Sequence, residues 1–321
     1  MIKRLLLPVG LIVALAVALV FPQPGLWMEG RTLTLAIIAT IFLINGYQTE
    51  LHSLVFGKRL LGAFGIAFLI SFVGGSLLGA AAVRVIPFPP GVDVGILVMC
   101  TMAPTLSSAI VITRESGGNA SWAILLTVGL NLVSIVAIPA LLKLLLATTA
   151  VTLPVVSMLV DLLLTVLLPF LVGVSLRSGI RRAPSPFIAL LPTLLIILLS
   201  YRSFCSGRGV LLASSASQLL VLAAVVLGIH LLLLCAAIVL TFVFRYALPE
   251  RKAIAFLSSQ KTLPTAIGIL SSLGGASGPA ALPCVMFHFL QIVFDSLLAS
   301  FWNRPKNCSG SASIGKSESG S

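Results

Sequence analysis

Acidic side chains are scarce in this chain: Asp and Glu together number 8 in 321 residues, and charged residues of both signs make up 9%. Soluble domains carry roughly 25% charge and need it to cover their surface. A chain that is 59% apolar, with a mean hydropathy of +1.17, therefore has no water-soluble fold open to it. Cysteine and histidine are also thin. Cys100, Cys205, Cys235, Cys284 and Cys308 are odd in number, scattered and contain no C-x-x-C, which excludes a disulfide framework and a zinc site, so no metal is expected. There is no H-E-x-x-H, G-x-S-x-G or P-loop, and Asp161 and Asp295 stand alone in different halves. No catalytic residue, no cofactor and no enzyme activity is implied, and no selectivity-filter sequence points to a channel. The 20 Lys and Arg leave a net charge of +12, which in a soluble protein would raise the question of nucleic acid. Here the loops of a membrane protein account for it, so the expected surroundings are a lipid bilayer, with no nucleic-acid partner.

What the chain has is apolar length. Runs of about 20 mostly apolar residues, enough to cross hydrocarbon, fall at about 5–22, 32–48, 60–83, 93–113, 119–146, 154–176, 186–204, 216–244, 252–272 and 280–302. The first follows Lys3-Arg4 and contains A-x-A triplets, but these lie inside the apolar stretch, where a signal-peptide cleavage site would follow it. With the N-terminus in the cytoplasm, the inner segments hold Lys3, Arg4, Lys58, Arg59, Arg114, Arg177, Arg181, Arg182, Arg245, Arg251, Lys252, Arg304, Lys306 and Lys316, against Arg31, Arg84, Lys143, Arg202 and Arg208 outside. This bias predicts ten spans with both termini cytoplasmic, in a plasma membrane or bacterial inner membrane. The Ser/Gly-rich tail, 305–321, reads as disordered.

Sliding the chain on itself aligns Thr105-Leu-Ser-Ser-Ala-Ile-Val-Ile-Thr-Arg-Glu-Ser-Gly-Gly118 with Thr262-Leu-Pro-Thr-Ala-Ile-Gly-Ile-Leu-Ser-Ser-Leu-Gly-Gly275, identical at Thr, Leu, Ala, both Ile and the closing Gly-Gly. The register maps span 4 onto span 9. It predicts two five-span units, 1–150 and 151–304; since five crossings end on the opposite face, the second copy is inverted. Each duplicated segment is the polar, Pro-containing middle of its span: Pro104, Thr105, Ser107 and Ser108 in one, Gln260, Lys261, Thr262, Pro264 and Thr265 in the other. Proline removes a donor and clashes with the preceding turn, so both spans are expected to unwind. Freed backbone groups in hydrocarbon need partners, so two such breaks predict a polar cavity, with half-helix N-termini around Thr105–Ser108 and Thr262–Thr265 suited to an anion. Two ordinary proline kinks with no ligand are the plainer reading.

Lys261 sits too deep in its span to snorkel easily, and a mid-membrane lysine costs about 2.5–3.5 kcal/mol on insertion scales. It is expected to face the cavity as a fixed cation or proton carrier. His288, Gln291 and Asp295 share one face of span 10; the first two are candidates for the cavity or for plain interhelical bonding, and Asp295 for a counter-ion. Asp161, His230, Asn45 and Asn131 read as satisfied interhelical contacts.

At these segments the chain resembles the bile acid:sodium symporter family, in the branch related to sodium/bile acid cotransporter 7. The carriers are Phe42-Leu-Ile-Asn-Gly46 with Thr49-Glu50, Ala103-Pro104-Thr105 through Thr113-Arg114 to Gly117-Gly118-Asn119, Ser259-Gln260-Lys261-Thr262-Leu263-Pro264, and Leu282-Pro283 with His288 and Gln291. The resemblance implies ten helices as a panel domain (spans 1, 2, 6 and 7) and a core domain, with discontinuous spans 4 and 9 crossing at the midplane, and transport of an organic anion as the core rocks against the panel. The sodium-coupled branch departs from this chain. Its Ser and Asn after the span 4 proline fall on Ala109 and Ile110, and its shared glutamate on Phe256. Its glutamine and span 5 threonine are kept as Gln260 and Thr127, but the next asparagine is Lys261.

The expectation is an all-α polytopic membrane protein acting as a secondary carrier for a small organic anion by alternating access. Its site is expected among Thr105, Ser107, Ser108, Thr127, Gln260, Lys261, Thr262, Thr265, His288 and Gln291. Lys261 would replace a sodium ion, so coupling is to protons or absent. A non-transporting membrane sensor on the same fold is the rival, and an intramembrane enzyme a third possibility.

Overall fold

In hydrocarbon a backbone must satisfy its own N–H and C=O groups, which favours helices. The computed structural model describes residues 2–28, 30–49, 57–89, 91–147, 154–180, 185–273 and 277–303, and among them every regular element is helical. The expected boundary at 150/151, Glu50, the second Gly-Gly pair and the tail at 305–321 lie outside the described residues. The elements are α1 (Ile2–Val20), α2 (Gln23–Trp27), α3 (Arg31–Gln48), α4 (Lys58–Phe68), a π-helical segment (Leu69–Gly74), α5 (Gly75–Val85), α6 (Val92–Thr101), α7 (Ser108–Glu115), α8 (Ala120–Leu145), α9 (Val155–Leu162), a second π segment (Leu163–Leu167), α10 (Leu168–Ile180), α11 (Pro186–Ala213), α12 (Ala216–Val243), α13 (Leu248–Ser259), α14 (Leu263–Ser272) and α15 (Ser277–Trp302). Six continuous helices among the described residues are long and apolar enough to cross a membrane: Lys58–Val85, Ala120–Leu145, Val155–Ile180, Pro186–Ala213, Ala216–Val243 and Pro279–Trp302.

Burial differs from that of a soluble protein in what accompanies the apolar core of residues such as Phe72, Met99 and Phe256. Ser71, Thr101, His230, Gln260, Lys261, Gln291 and Asp295 are buried, while Leu61, Leu77, Val136, Leu220 and Phe242 are exposed. Large apolar side chains on the outside and polar ones paired inside fit a protein surrounded by lipid. Small residues allow close helix approach: a Cβ on Gly46 of α3 would collide with Phe170 O of α10, and one on Gly173 of α10 with Leu43 O of α3. Around this pair, α1 packs along α11, and α11 on α3. On the other side α4, α5, α6, α8, α12, α13 and α15 pack on one another, and α15 also meets α11.

One span differs from expectation. The run at 186–204, with Arg202 at its edge and Arg208 beyond it on the outer side, is longer in the structure, where α11 continues to Ala213. Its arginines are absorbed by neighbours: Arg202 is buried and donates Nη1–H to Thr34 Oγ1 at 3.1 Å, and Arg208 donates Nε–H to Leu19 O at 3.1 Å. Charge marks a helix end only when water takes the charge; a partner on the next helix does as well.

Candidate functional site

The two Pro-containing segments are broken helices. α6 stops at Thr101 and Met102 turns extended (φ −68°, ψ 152°); Pro104 disfavours helical geometry in Ala103 before it, and α7 begins at Ser108. α13 stops at Ser259, Gln260 and Thr262 are extended (ψ 149° and 122°), and Pro264 sits in the first turn of α14, where its missing N–H costs nothing. The breaks meet: Thr262 N donates to Ala103 O at 2.9 Å, and Thr105 Oγ1 donates to Gln260 Oε1 at 2.6 Å.

Buried backbone groups at a break must be paired or cost about 1–3 kcal/mol each, and here side chains do the pairing. Met102 O accepts from Lys261 Nζ (3.0 Å) and Pro104 O from Asn131 Nδ2 (3.1 Å). Ser259 O faces His230 Nδ1 (3.2 Å). Lys261 N donates to Gln291 Oε1 (2.8 Å), and Gln291 Nε2 donates to Lys261 O (2.7 Å). Gln260 Nε2 reaches Asp295 Oδ2 (2.7 Å), whose Oδ1 lies 2.9 Å from His230 Nε2. Thr105 Oγ1 also accepts from Ser108 Oγ (2.6 Å) and Ala109 N (3.1 Å), covering the start of α7.

Lys261 is fully buried. Its Nζ donates to Ser71 O, to Ser71 Oγ (2.9 Å) and to Met102 O, and stands 5.9 Å from the Phe72 ring. Ser71 lies in the first π segment, where the wider turn re-aims backbone carbonyls. Gly75 makes room: a Cβ there would meet Cys100 O and come within 3.1 Å of Nζ.

A cavity of about 340 Å³ opens beside the breaks, within the range of small-molecule sites. Its walls come from α1, α3 and α11 on one side, and from the first break and α7, the second break and α15 on the other. Thr105, Ser107, Ser108, Thr262 and His288 line it, with Asn45, Gln48, Glu115, Thr193 and Ser296. Asn45 Oδ1, Gln48 Nε2 and His288 Nε2 have no hydrogen-bond partner among the described residues. The tautomer of His288 follows from Gln291, whose amide is oriented by the backbone of Lys261. The Gln291 Nε2 therefore faces His288 Nδ1 at 3.0 Å; Lys261 O, at 3.4 Å from Nδ1, already accepts from Gln291 Nε2, so the assignment that satisfies the shorter contact has Nδ1 accepting and the proton on Nε2.

Of the residues expected at the site, then, Thr105, Ser107, Ser108, Thr262 and His288 line one cavity. Lys261 was expected to face it and does not: its amine points away, to Ser71 and Met102, because those oxygens satisfy it better than an open cavity wall. Gln260 and Gln291 are fully buried behind the lining. Thr127 is fully buried with Oγ1 unpartnered, and Thr265, also unpartnered at Oγ1, borders only a small void beside Asp161. Asp295 pairs with His230 and Gln260, and Asp161 with Arg31 (2.6 Å) and Ser272 (2.9 Å). Asn45, read as a satisfied contact, lines the cavity with its Oδ1 unpartnered among the described residues. Gln48, Glu115, Thr193 and Ser296 were missed, and so was Ser71. Single polar residues at the end of a helix, as Gln48 and Glu115, or within one, as Thr193 and Ser296, carry no signal until the facing helix is known.

The sequence profile of the SBF-like CPA transporter family matches residues 6–304. The chain belongs to that family. Over 322 residues it is 29% identical to the probable sodium/metabolite cotransporter BASS4, chloroplastic, of Oryza sativa subsp. indica, covering 93% of this chain and 75% of that protein. The Arabidopsis thaliana protein of the same name is 29% identical over 93% of this chain and 72% of its own length. The sodium/bile acid cotransporter 7 of Mus musculus is 26% identical over 90% of each. This SBF-like protein is accordingly an integral membrane transporter and not an enzyme.

Proposed function

We propose that this chain is a secondary carrier for a small organic anion, working by alternating access as two five-helix units, 1–150 and 151–304, related by inversion. The panel is α1, α3, α9–α10 and α11; the core is the rest, with α6–α7 and α13–α14 as its discontinuous spans. The observation that carries this reading is the cavity between those two sets of helices, at the point where both breaks meet. Its chemistry suits a small anion: the N-terminus of α7 with the Ser107 and Ser108 hydroxyls, the Thr262 hydroxyl, and the unpartnered His288 Nε2–H. By the positive-inside bias, the mouth beside Glu115 and Gln48 opens to the cytoplasm of a plasma or bacterial inner membrane.

Lys261 holds the place of a coupling cation. A primary amine with oxygen ligands from Ser71 and Met102 does for the two breaks what a bound monovalent ion would do, without dissociating. Coupling is then to protons or absent, with sodium not required.

The experiment is uptake of radiolabelled carboxylates and sulfonates into proteoliposomes. Wild type accumulates at least one of them, and Ser108→Ala with His288→Phe reduces uptake at least tenfold. A protein that binds such an anion yet moves none is a sensor, and the carrier reading fails.

A further inference from the structure

Each of the two broken spans exposes a half-helix C-terminus, and each is met by a nitrogen donor. Lys261 Nζ reaches Met102 O just beyond the end of α6. At the end of α13, Ser259 O is one of the carbonyls that a helix end leaves without an intrahelical donor, and His230 Nδ1 of α12 lies 3.2 Å from it. The other ring nitrogen, Nε2, is 2.9 Å from Asp295 Oδ1 of α15. Both side chains are buried, and the rings of Phe287 and Phe294 stand edge-on to the imidazole at 6.2 and 6.1 Å.

These contacts fix a proton count. A carbonyl and a carboxylate only accept hydrogen bonds, and a neutral imidazole has one N–H to give. A neutral ring beside an ionised Asp295 therefore serves one neighbour and sets a lone pair against the other. Both contacts are hydrogen bonds only when the pair holds one proton more, on the second ring nitrogen or on the carboxyl. The first form places a cation at a helix C-terminus and against a carboxylate, where both attract it. Among the ionisable groups of the packed elements, Lys261 is in electrostatic range of the ring, but its amine is taken by Ser71 and Met102. Lys252 of α13 turns to Ser116 O and Trp302 O, His288 of α15 lines the cavity, and Cys100 of α6 and Cys284 of α15 are buried thiols.

We propose that His230 and Asp295 form a proton-binding site that closes the second break when loaded, and that this is the coupling proton of the carrier. The step is a proton transfer alone: hydronium gives a proton to the pair and leaves as water, and release reverses it. On release, either the contact with Asp295 or the one with Ser259 O is lost. The change is felt at the cavity through Gln260, which donates to Asp295 Oδ2 and accepts from the cavity-lining Thr105. The coupling role rests on the carrier reading above; the capacity to bind the proton does not.

The test follows the ring nitrogens of 15N-histidine-labelled full-length protein in lipid nanodiscs by NMR from pH 5 to 9. The ring whose signals vanish in His230→Gln is doubly protonated at the acid end and loses one proton within the range. In Asp295→Asn its proton affinity falls at least tenfold. If His230→Gln does not fold, His52→Gln and His288→Gln assign the ring by elimination, and if Asp295→Asn does not fold, the wild-type titration decides. A His230 ring singly protonated throughout, or unaffected by Asp295→Asn, overturns the site. In proteoliposomes, an inward proton gradient raises wild-type uptake of radiolabelled carboxylates and sulfonates at least threefold over equal pH, and Asp295→Asn brings that ratio near one. Wild-type uptake indifferent to the gradient, or a ring doubly protonated across the whole range, overturns the coupling. A proton bound as described in a protein that moves no anion upholds the site and sinks the carrier.

Discussion

Lys261 is the side chain on which most of the site depends, and its surroundings give its substitutions sharp consequences. Lys261→Met fills the same volume but leaves Ser71 O, Ser71 Oγ and Met102 O buried without their donor. At about 1–3 kcal/mol per orphaned group, part of which local rearrangement recovers, the loss is about 2–4 kcal/mol. It reads out as a lower thermal midpoint in detergent; an unchanged midpoint contradicts the bonding described. Gly75→Ala pushes a methyl against Cys100 O and toward Nζ, and is expected to cost about 1–3 kcal/mol by overpacking, measured the same way. That Lys261 mattered was legible in the sequence, because an amine in the middle of an apolar span has to be compensated. Where its amine would point was not, since Ser71 O becomes an acceptor only through a π turn, a change in backbone bonding with no side-chain signature.

The broken helices stand because other helices supply what the breaks lose. Gln291 pairs both backbone groups of Lys261, and Asn131 takes Pro104 O. Gln291→Leu leaves two backbone groups orphaned at once, so hydrogen exchange of the Lys261 amide is expected to quicken at least tenfold, with amides in the middle of α12 unchanged. Equal rates in the variant would mean that the break is held by something else. The breaks were readable from Pro104 and Pro264 with their hydroxyl and amide neighbours, since both unwinding and its compensation leave marks in composition. Two features were less readable. Pro264 does not itself break a helix but opens α14, the extended residues being Gln260 to Thr262 before it. α11 runs past Arg202 and Arg208 because Thr34 and Leu19 O receive those guanidiniums, and a neighbour on another helix cannot be read along one chain.

At the scale of the whole molecule, two sets of helices face each other across a groove with a hydroxyl-lined cavity where the breaks meet. Apolar composition made the membrane legible and the family resemblance made the transporter legible. A polar cavity at the breaks was legible from the two prolines and their hydroxyl neighbours, but its facing wall was not, because residues such as Gln48 and Thr193 are unremarkable until three helices converge. In the carrier reading, Lys261 supplies from within the chain the cation that holds the breaks together. Sodium then has no work to do. The most direct measurement is anion uptake into proteoliposomes with an inward sodium gradient or with choline in its place, for wild type and Lys261→Asn. The account predicts equal wild-type uptake in both, and in Lys261→Asn either no uptake or uptake that returns only with sodium. Wild-type uptake that requires sodium, together with an unimpaired Lys261→Asn, would contradict it.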